Sequence, residues 1–298
     1  MNEYNQASTS TASGTTELVW GGVPIPEDWG GDGRGRMNLS GRCTAISSEY
    51  VPRQYQFFDT QRISEQAWQI PGVPRQAVAA TRRLLSCHDN GASTARVLLP
   101  AQFGIPAGRF TADLEIFVLR GAIQMGEWKL GKHCYSFIPA GVRVGPWKVL
   151  DDQAAEILWM ENNCLQYQDL PNHPKAKMSE FIPGLDSKLL SWGKTDTTQF
   201  VVASKKWLRK AVNGGGVWLL TLLPHYDGKQ AMIQSYNEEA YCLSGCCDIG
   251  DYSFAKDHFG YCPSFSTLPR HISEEGGLFF VRVDRDLSQS GTVLSYAD

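Results

Sequence analysis

The stretch EIFVLRG at residues 115–121 recurs 124 positions later as EAYCLSG at residues 239–245. The same offset relates ARVLLP (95–100) to LLTLLP (219–224). It also carries Trp68 onto Trp192. An offset that stays constant over this span indicates two copies of one structural unit, with no net insertion between their central strands.

Both copies have the pattern of β-structure, because short apolar runs end at glycine or proline. Further strands are predicted at CYSFIP (134–139), AEILWM (155–160), FGYCP (259–263) and GLFFVRVD (277–284). Helical periodicity is weak and confined to short stretches such as AVAATRRLL (77–85). Turn residues recur at the spacing typical of a sandwich or barrel, so the chain is expected to be all-β.

The composition excludes several classes of function. The 298 residues carry a formal charge of -3 and contain no basic run, which argues against a nucleic-acid partner. No apolar run is long enough to cross a membrane, and the N-terminus lacks the apolar core of a secretory signal. A cytoplasmic protein is therefore expected. The eight cysteines include no C-x-x-C pair and are interpreted as free thiols.

The repeat and the glycine- and proline-rich segments suggest five regions along the chain. We expect a disordered tail (1–17), an irregular N-terminal arm (18–60), a first barrel (61–162), a linker (163–185) and a second barrel (186–298).

Three features resemble the cupin superfamily, in particular two-barrel cupins related to the anti-sigma factor ChrR. They are the two E-x-x-x-L-x-G strand ends, the P-A-G turn at 139–141, and SEEGGLFFVR at 273–282. The resemblance covers roughly residues 60–162 and 186–290. It implies two tandem jelly-roll-like β-barrels that follow an irregular N-terminal arm.

In that family, three histidines and a glutamate hold a transition metal. Carried over by position, this ligand set falls on Gly108, Phe110, Glu115 and Val144 in the first copy, and on Met232, Gln234, Glu239 and Leu268 in the second. Only the two glutamates remain, and one carboxylate among apolar side chains does not hold such a metal. We therefore expect no metal and no other cofactor.

The alternative is a shifted site in the second copy. His271 lies three residues beyond the expected histidine position, in STLPRHISEEGG. A displaced loop would bring His271 beside Glu239 and Gln234, with His258 as a further ligand. Histidines in such rim loops are more often exposed than bound to a metal.

Strand alternation from the two glutamates suggests which side chains face each barrel interior. It predicts Glu239, Tyr241 and Leu243 inward in the second copy, and Glu115, Phe117 and Leu119 inward in the first. A pocket in the second copy would then hold Glu239, Tyr241 and His271 as catalytic residues, with Met232, Gln234, Arg282 and His258 binding the substrate.

Glu239 in such an apolar barrel would have a raised pKa, which suits a general acid or base. The competing interpretation is that both glutamates are satisfied by neighbouring donors. In that case Arg282 and Glu239 would form a buried ion pair.

The predicted function is that of a metal-independent enzyme acting by acid/base chemistry on a small, largely apolar molecule resembling a natural product. The reaction would be an isomerisation, cyclisation, dehydration or decarboxylation. One alternative is a non-catalytic ligand-binding or regulatory cupin, and another is a metal-dependent dioxygenase with non-standard ligands. Pairing through barrel edges makes a homodimer an expected assembly.

Overall fold

The computed structural model describes most of the chain beyond residue 54. The described residues are 55–74, 78–88, 91–150, 152–194, 203–210, 215–228, 231–233, 237–263 and 266–283, together with the backbone of short strands near both ends. The chain divides into two compact units, residues 1–37 and 38–298.

The N-terminal unit contains two short hairpins. They are formed by β1 (Ser10–Ala12) with β2 (Thr15–Glu17), and by β3 (Val19–Trp20) with β4 (Val23–Pro24). The remainder of the predicted tail, and of the predicted arm up to residue 54, lies outside the described residues.

The larger unit is built from two β-barrels, as the repeat predicts. β5 (Gln56–Asp59) precedes both of them. The first barrel contains β6 (Gln66–Trp68), β7 (Ala80–Cys87), β8 (Ser93–Leu99), β9 (Gly104–Ile105), β10 (Gly108–Phe110), β11 (Leu114–Arg120), β12 (Ile123–Met125), β13 (Trp128–Leu130), β14 (Cys134–Ile138), β15 (Arg143–Val144), β16 (Trp147–Val149), β17 (Ala155–Glu161) and β18 (Tyr167–Gln168).

β19 (Ile182–Asp186) connects the two barrels. The second barrel contains β20 (Gly193–Lys194), β21 (Ala203–Lys210), β22 (Gly216–Leu222), β23 (Tyr226–Asp227), β24 (Ala231–Ile233), β25 (Glu238–Ile249), β26 (Tyr252–Ala255), β27 (His258–Cys262), β28 (Thr267–Leu268), β29 (His271–Ser273), β30 (Gly277–Val283) and β31 (Val293–Leu294). In the part of the chain that is described, helix is limited to three 3₁₀ turns at Thr60–Arg62, Met178–Glu180 and Ser187–Leu189.

The main sheets are antiparallel and follow the same strand order in the two barrels. In the first, the order is β19-β14-β11-β17-β8-β7-β6, and in the second the corresponding path is β5-β27-β25-β30-β22-β21-β20. The repeated stretches 115–121 and 239–245 form most of β11 and the first part of β25, and each of these strands has a neighbour on both sides. Gly121 and Gly245, which close the repeated stretch, have positive φ angles of 72° and 76°, a region that glycine occupies without strain.

The two barrels exchange edge strands. β5 precedes the first barrel in sequence but pairs with β27 of the second. β19 directly precedes the second barrel in sequence but pairs with β14 of the first. Because each edge is covered by a strand from the other half of the chain, the barrels are joined by backbone hydrogen bonds as well as by side chains.

Two segments contain more β-structure than their sequence pattern indicates. Residues 80–85 of the stretch 77–85 belong to β7 and are not helical, since Ala80, Leu84 and their neighbours pair along β6 and β8. The segment 163–185, predicted as a linker, contains β18 and most of β19. Both strands pair with first-barrel strands, so the chain between the barrels is largely ordered by the first barrel.

The described cysteines are free thiols, as predicted. Cys134, Cys242, Cys247 and Cys262 are buried, whereas Cys164 is exposed. No helix in the described part of the chain is both long and apolar enough to cross a membrane.

The contact between Phe117 and Phe280 leads to a prediction of how much the junction between the barrels contributes to the free energy of unfolding. Their ring centroids are 4.8 Å apart, on β11 of the first barrel and β30 of the second. Both side chains are buried. We expect Phe117→Ala to lower the free energy of unfolding by about 3–5 kcal/mol, because it leaves a cavity at the junction.

Urea unfolding measures this change. Leu189→Ala is the control, because Leu189 is 83% exposed and its loss should cost less than about 0.5 kcal/mol. Equal effects of the two substitutions would show that the junction contributes nothing specific to stability.

Candidate functional site

The barrel interiors contain the opposite set of side chains from the one predicted. Along β11, Leu114, Ile116 and Val118 belong to the core of the first barrel. Along β25, Cys242 lies in the core of the second barrel and Ala240 packs against it. Glu115, Phe117, Glu239 and Tyr241 occupy the other face of their strands. A shift of one residue in the assumed motif register reverses every side chain, which accounts for the error.

Glu115 therefore lies at the junction between the barrels. Its carboxylate accepts hydrogen bonds from Arg209 Nη2 at 3.1 Å and Arg282 Nε at 3.0 Å, both from the second barrel. The Tyr135 hydroxyl, on the neighbouring strand β14, also donates to it. Burial opposes ionisation of Glu115, but the two arginines and Tyr135 outweigh it, and the pKa of this carboxyl lies below its ordinary value.

The Glu239 carboxylate of the second barrel is likewise hydrogen-bonded across the junction. Its carboxylate accepts hydrogen bonds from Ser86 Oγ at 2.5 Å and Thr94 Oγ1 at 2.7 Å, on strands of the first barrel. Arg282 Nη1 donates to it at 3.1 Å. Despite burial, the charge of Arg282 and these hydrogen bonds lower the pKa of Glu239. The predicted raised pKa is thus wrong, and the predicted Arg282–Glu239 ion pair is present.

The interior of the first barrel is filled by aromatic rings. Phe110, at one expected histidine position, has ring centroids 5.9 Å from Trp147 and 6.0 Å from Trp159. At Gly108, the other early position, an added Cβ would lie 2.2 Å from the Tyr167 ring. Val144 is buried opposite Gly108. These residues supply neither donors nor space, so they do not fit a transition metal.

The described interior of the second barrel also lacks a suitable donor set. Leu268 is buried and lies opposite Met232 in the strand pairing. The carboxylate on the interior side of β25 is that of Glu238, which lies opposite Cys262 and Val283. Gln234 and the side chain of Met232 lie outside the described residues.

Within the described residues, no group of three His, Cys, Asp or Glu side chains could hold a metal ion.

The two histidines proposed for the second-barrel pocket lie apart from Glu239. His271 begins β29, where it lies opposite Ile249 of β25. Burial lowers its pKa to about 4. His258 Nδ1 lies 3.0 Å from the Tyr252 hydroxyl, next to the turn that ends at Asp257. Glu115, Glu239, Arg209 and Arg282, with their hydroxyl donors, are called the junction network. The strand register brings neither histidine to it.

A cleft of about 500 Å³ lies between the barrels. We call it the inter-barrel cleft. It is lined by Gln61, Arg83, Arg96, Leu98, Leu119, Arg120, Gly121, Lys132, His133, Glu156, Tyr241, Leu243, Lys256 and Asp257. Strands β7, β8, β11 and β17 contribute from the first barrel, and β25 and the turn after β26 contribute from the second. Its volume is within the usual range for small-molecule sites.

Polar groups in the cleft form an ordered network. Arg96 Nε donates to Glu156 at 2.5 Å. The Tyr241 hydroxyl donates to Asp257 Oδ1 at 2.9 Å. Burial, opposed by the charge of Arg96, raises the pKa of Tyr241. At neutral pH this hydroxyl remains protonated and acts as a hydrogen-bond donor.

The residues that the sequence predicts to form one site therefore lie apart in the structure. Glu239 and Arg282 meet in the junction network, Tyr241 reaches the inter-barrel cleft, and His258 and His271 lie elsewhere. The cationic lining of the cleft comes from strands far apart in sequence, and no local motif indicates it. The one available signal was the position of Arg120 and Gly121 at the end of the repeated stretch, where a strand meets a turn.

The bridging role of Arg282 leads to a stability prediction. Arg282→Met leaves two buried carboxylates without a shared cation, so we expect the unfolding free energy at neutral pH to fall by about 3–5 kcal/mol. The loss should shrink as the pH falls below 4.5, the ordinary value for these groups. Carboxylates with a lowered folded pKa stabilise the fold above that value and lose their contribution as they protonate.

Urea unfolding of both proteins across this pH range provides the measurement. Arg143→Met is the control, since the Arg143–Asp169 pair is solvent-exposed and worth at most about 1 kcal/mol. A pH-independent loss for Arg282→Met would contradict the assignment.

His271 predicts a separate pH dependence. Its folded pKa of about 4 lies below the ordinary value of 6.5, so the unfolded chain binds a proton first as the pH falls. Above pH 6.5, neutral His271 does not lower the free energy of unfolding. As the pH falls from 6.5 towards 4, that free energy decreases by up to about 2 kcal/mol, a value that allows for the partial exposure of the ring.

We expect His271→Gln to remove this part of the pH dependence, measured as unfolding free energy at successive pH values. His173→Gln, at an exposed position, should leave the profile of the parent protein unchanged. An unaltered profile for His271→Gln would contradict the prediction.

Comparison with solved structures places the fold among cupins. A protein from Nostoc punctiforme PCC 73102, described as a "putative dioxygenase", shares 66% sequence identity with a TM-score of 0.81, and the match covers 92% of this chain and 98% of that one. A variant of oxalate decarboxylase from Bacillus subtilis matches with 10% identity and a TM-score of 0.53, over 84% of this chain and 82% of that one.

The protein Ylba from E. coli, of family model DUF861, matches with 12% identity and a TM-score of 0.52, over 80% of this chain and 95% of that one. The last two likenesses show the fold alone, and the finer resemblance to ChrR-related cupins stays a prediction. No curated protein matches the sequence.

The family model for a domain of unknown function, DUF4437, matches residues 59–290. This range covers both barrels except β31, and it includes every residue of the junction network and the inter-barrel cleft. With its two cupin-type barrels, the chain belongs to the DUF4437 family.

Proposed function

We propose that this protein binds a small molecule in the inter-barrel cleft and uses the barrel interiors as structural cores. The observation that carries the proposal is the cleft itself, about 500 Å³ in volume and lined by polar groups from both barrels. The aromatic filling of the first barrel supports the same assignment, because it leaves no room at Gly108 and Phe110. This function corresponds to the ligand-binding alternative raised by the sequence.

The acid/base enzyme predicted from the sequence has less support. A general base needs an open face and a pKa near the working pH. The Glu239 carboxylate instead has partners on both oxygens and a lowered pKa. Of the three predicted catalytic residues, only Tyr241 lines the cleft, and its hydroxyl hydrogen is already donated to Asp257, so this group is not placed to protonate a bound molecule.

A dioxygenase is the second candidate, favoured by the description of the Nostoc punctiforme protein. Such an activity in a cupin fold implies a transition metal, and the described donor sets do not support one. A homodimer and a metal-independent reaction on a natural-product-like molecule remain predictions from the sequence.

The two candidates differ in their response to metal removal. We expect a panel of small metabolites to include compounds that raise the melting temperature by about 2 °C or more. The shift should be equal before and after treatment with EDTA. Leu243→Trp should abolish it, because the larger ring fills the cleft.

Leu223→Trp is the matched control, since Leu223 is exposed and does not line the cleft. Binding that disappears with EDTA and returns with added iron or manganese would favour the dioxygenase. Binding that persists in Leu243→Trp would place the ligand elsewhere and overturn the proposed function.

A further inference from the structure

We infer that the ligand of the inter-barrel cleft is a small anion with carboxylate or phosphate groups. This inference rests on the proposed function, because it names the ligand class of the same cleft. The juxtaposition that carries it is that of Arg120, Lys132 and Lys256, which lie on the rim of one cavity and come from both barrels.

The charge of the cleft is opposite to that of the chain. Five cationic side chains and two carboxylates line it, an excess of three positive charges. The whole chain carries a formal charge of -3. His133 adds no charge at neutral pH, since burial and the neighbouring Lys132 lower its pKa. A concave surface lined mainly by one sign of charge raises the local concentration of ions of the opposite sign.

Part of this charge is already neutralised within the protein. Arg96 pairs with Glu156 at 2.5 Å, and Arg83 pairs with Glu65 at 3.0 Å. Asp257 accepts the hydrogen bond from Tyr241. Both carboxylates of the cleft therefore already have partners within the protein. So do Arg83 and Arg96, the two less exposed arginines of the cleft.

The three rim cations are available to a ligand. Arg120 is 69% exposed, and its only ion pair among the described residues is a long one of 3.7 Å to Glu156. Lys132 and Lys256 are exposed and form no ion pair with any described residue. Guanidinium and ammonium groups bind carboxylate and phosphate oxygens through charge-assisted hydrogen bonds.

The fold holds these cations at fixed places on the two barrels. Arg120 ends β11, and Lys132 lies two residues before β14. Lys256 lies in the turn between β26 and β27 of the second barrel. An anion that contacts all three would bridge the barrels.

The apolar part of the lining limits the class further. Leu98, Leu119 and Leu243 contribute the apolar side chains of the cleft. They provide a surface for a carbon skeleton, and the Tyr241 hydroxyl lies within the same lining. A di- or tricarboxylate, or a phosphate ester, combines the charged ends and the apolar middle that this lining would accept.

Titration calorimetry with citrate, succinate, pyrophosphate and inorganic phosphate tests the inference on the full chain. We expect at least one of them to bind. The triple variant Arg120→Ala/Lys132→Ala/Lys256→Ala should weaken that binding by at least about tenfold. Raising sodium chloride from about 0.05 to about 0.5 M should also weaken it.

The matched control is Lys129→Ala/Lys148→Ala/Lys175→Ala, which removes the same charge from exposed positions outside the cleft. It should retain the affinity of the parent protein. Equal loss in both triple variants, or none in either, would overturn the anion assignment.

The failure of this inference differs from the failure of the proposed function. Suppose that a neutral or cationic compound binds, that Leu243→Trp blocks this binding, and that the triple variant of Arg120, Lys132 and Lys256 does not change it. The cleft is then the binding site, and the anion assignment is wrong. If no compound of either kind binds in the cleft, the proposed function itself fails.

Discussion

Arg282 forms the interaction on which the arrangement of the two barrels depends. It lies on β30 of the second barrel and bridges Glu115 of the first barrel to Glu239 of the second. A guanidinium suits this position, because its planar donors can serve two carboxylates at once and it keeps its charge when buried. Arg209 adds a second cation to Glu115. The two equivalent glutamates of the repeat therefore both take part in the contact between the barrels.

The junction network is one of several contacts that hold the two barrels together. The network and the Phe117–Phe280 contact close the centre of the junction. β5 and β19 tie the outer edges by crossing to the opposite barrel. Arg120 and Gly121 of the first barrel line the inter-barrel cleft together with Leu243 and Lys256 of the second.

The fold could be predicted from the repeat, since the two copies of one strand pattern agreed over a constant offset. The loss of histidines at Gly108, Phe110 and Val144 could be read in the same way, and the aromatic packing there is consistent with it. The orientation of Glu115 and Glu239 could not. On a strand, neighbouring residues face opposite sides, so an error of one residue in a motif exchanges the barrel interior for the junction.

The cleft lay beyond prediction for a different reason. Its lining combines residues from β7, β8, β11, β17 and β25 with two turns, and only the docking of one barrel on the other brings them together. The charge on Lys132 and Lys256 looks like ordinary solvated surface in the sequence. Its meaning depends on the opposing barrel.

Ligand binding between the barrels, with barrel interiors that serve only as cores, can be tested on a crystal of this protein soaked in sodium selenate. Anomalous maps would be recorded at the selenium edge and across the edges of the first-row metals. We expect a selenium peak among Arg120, Lys132 and Lys256 and no metal peak inside either barrel. A metal peak inside a barrel, with no selenium in the cleft, would contradict it.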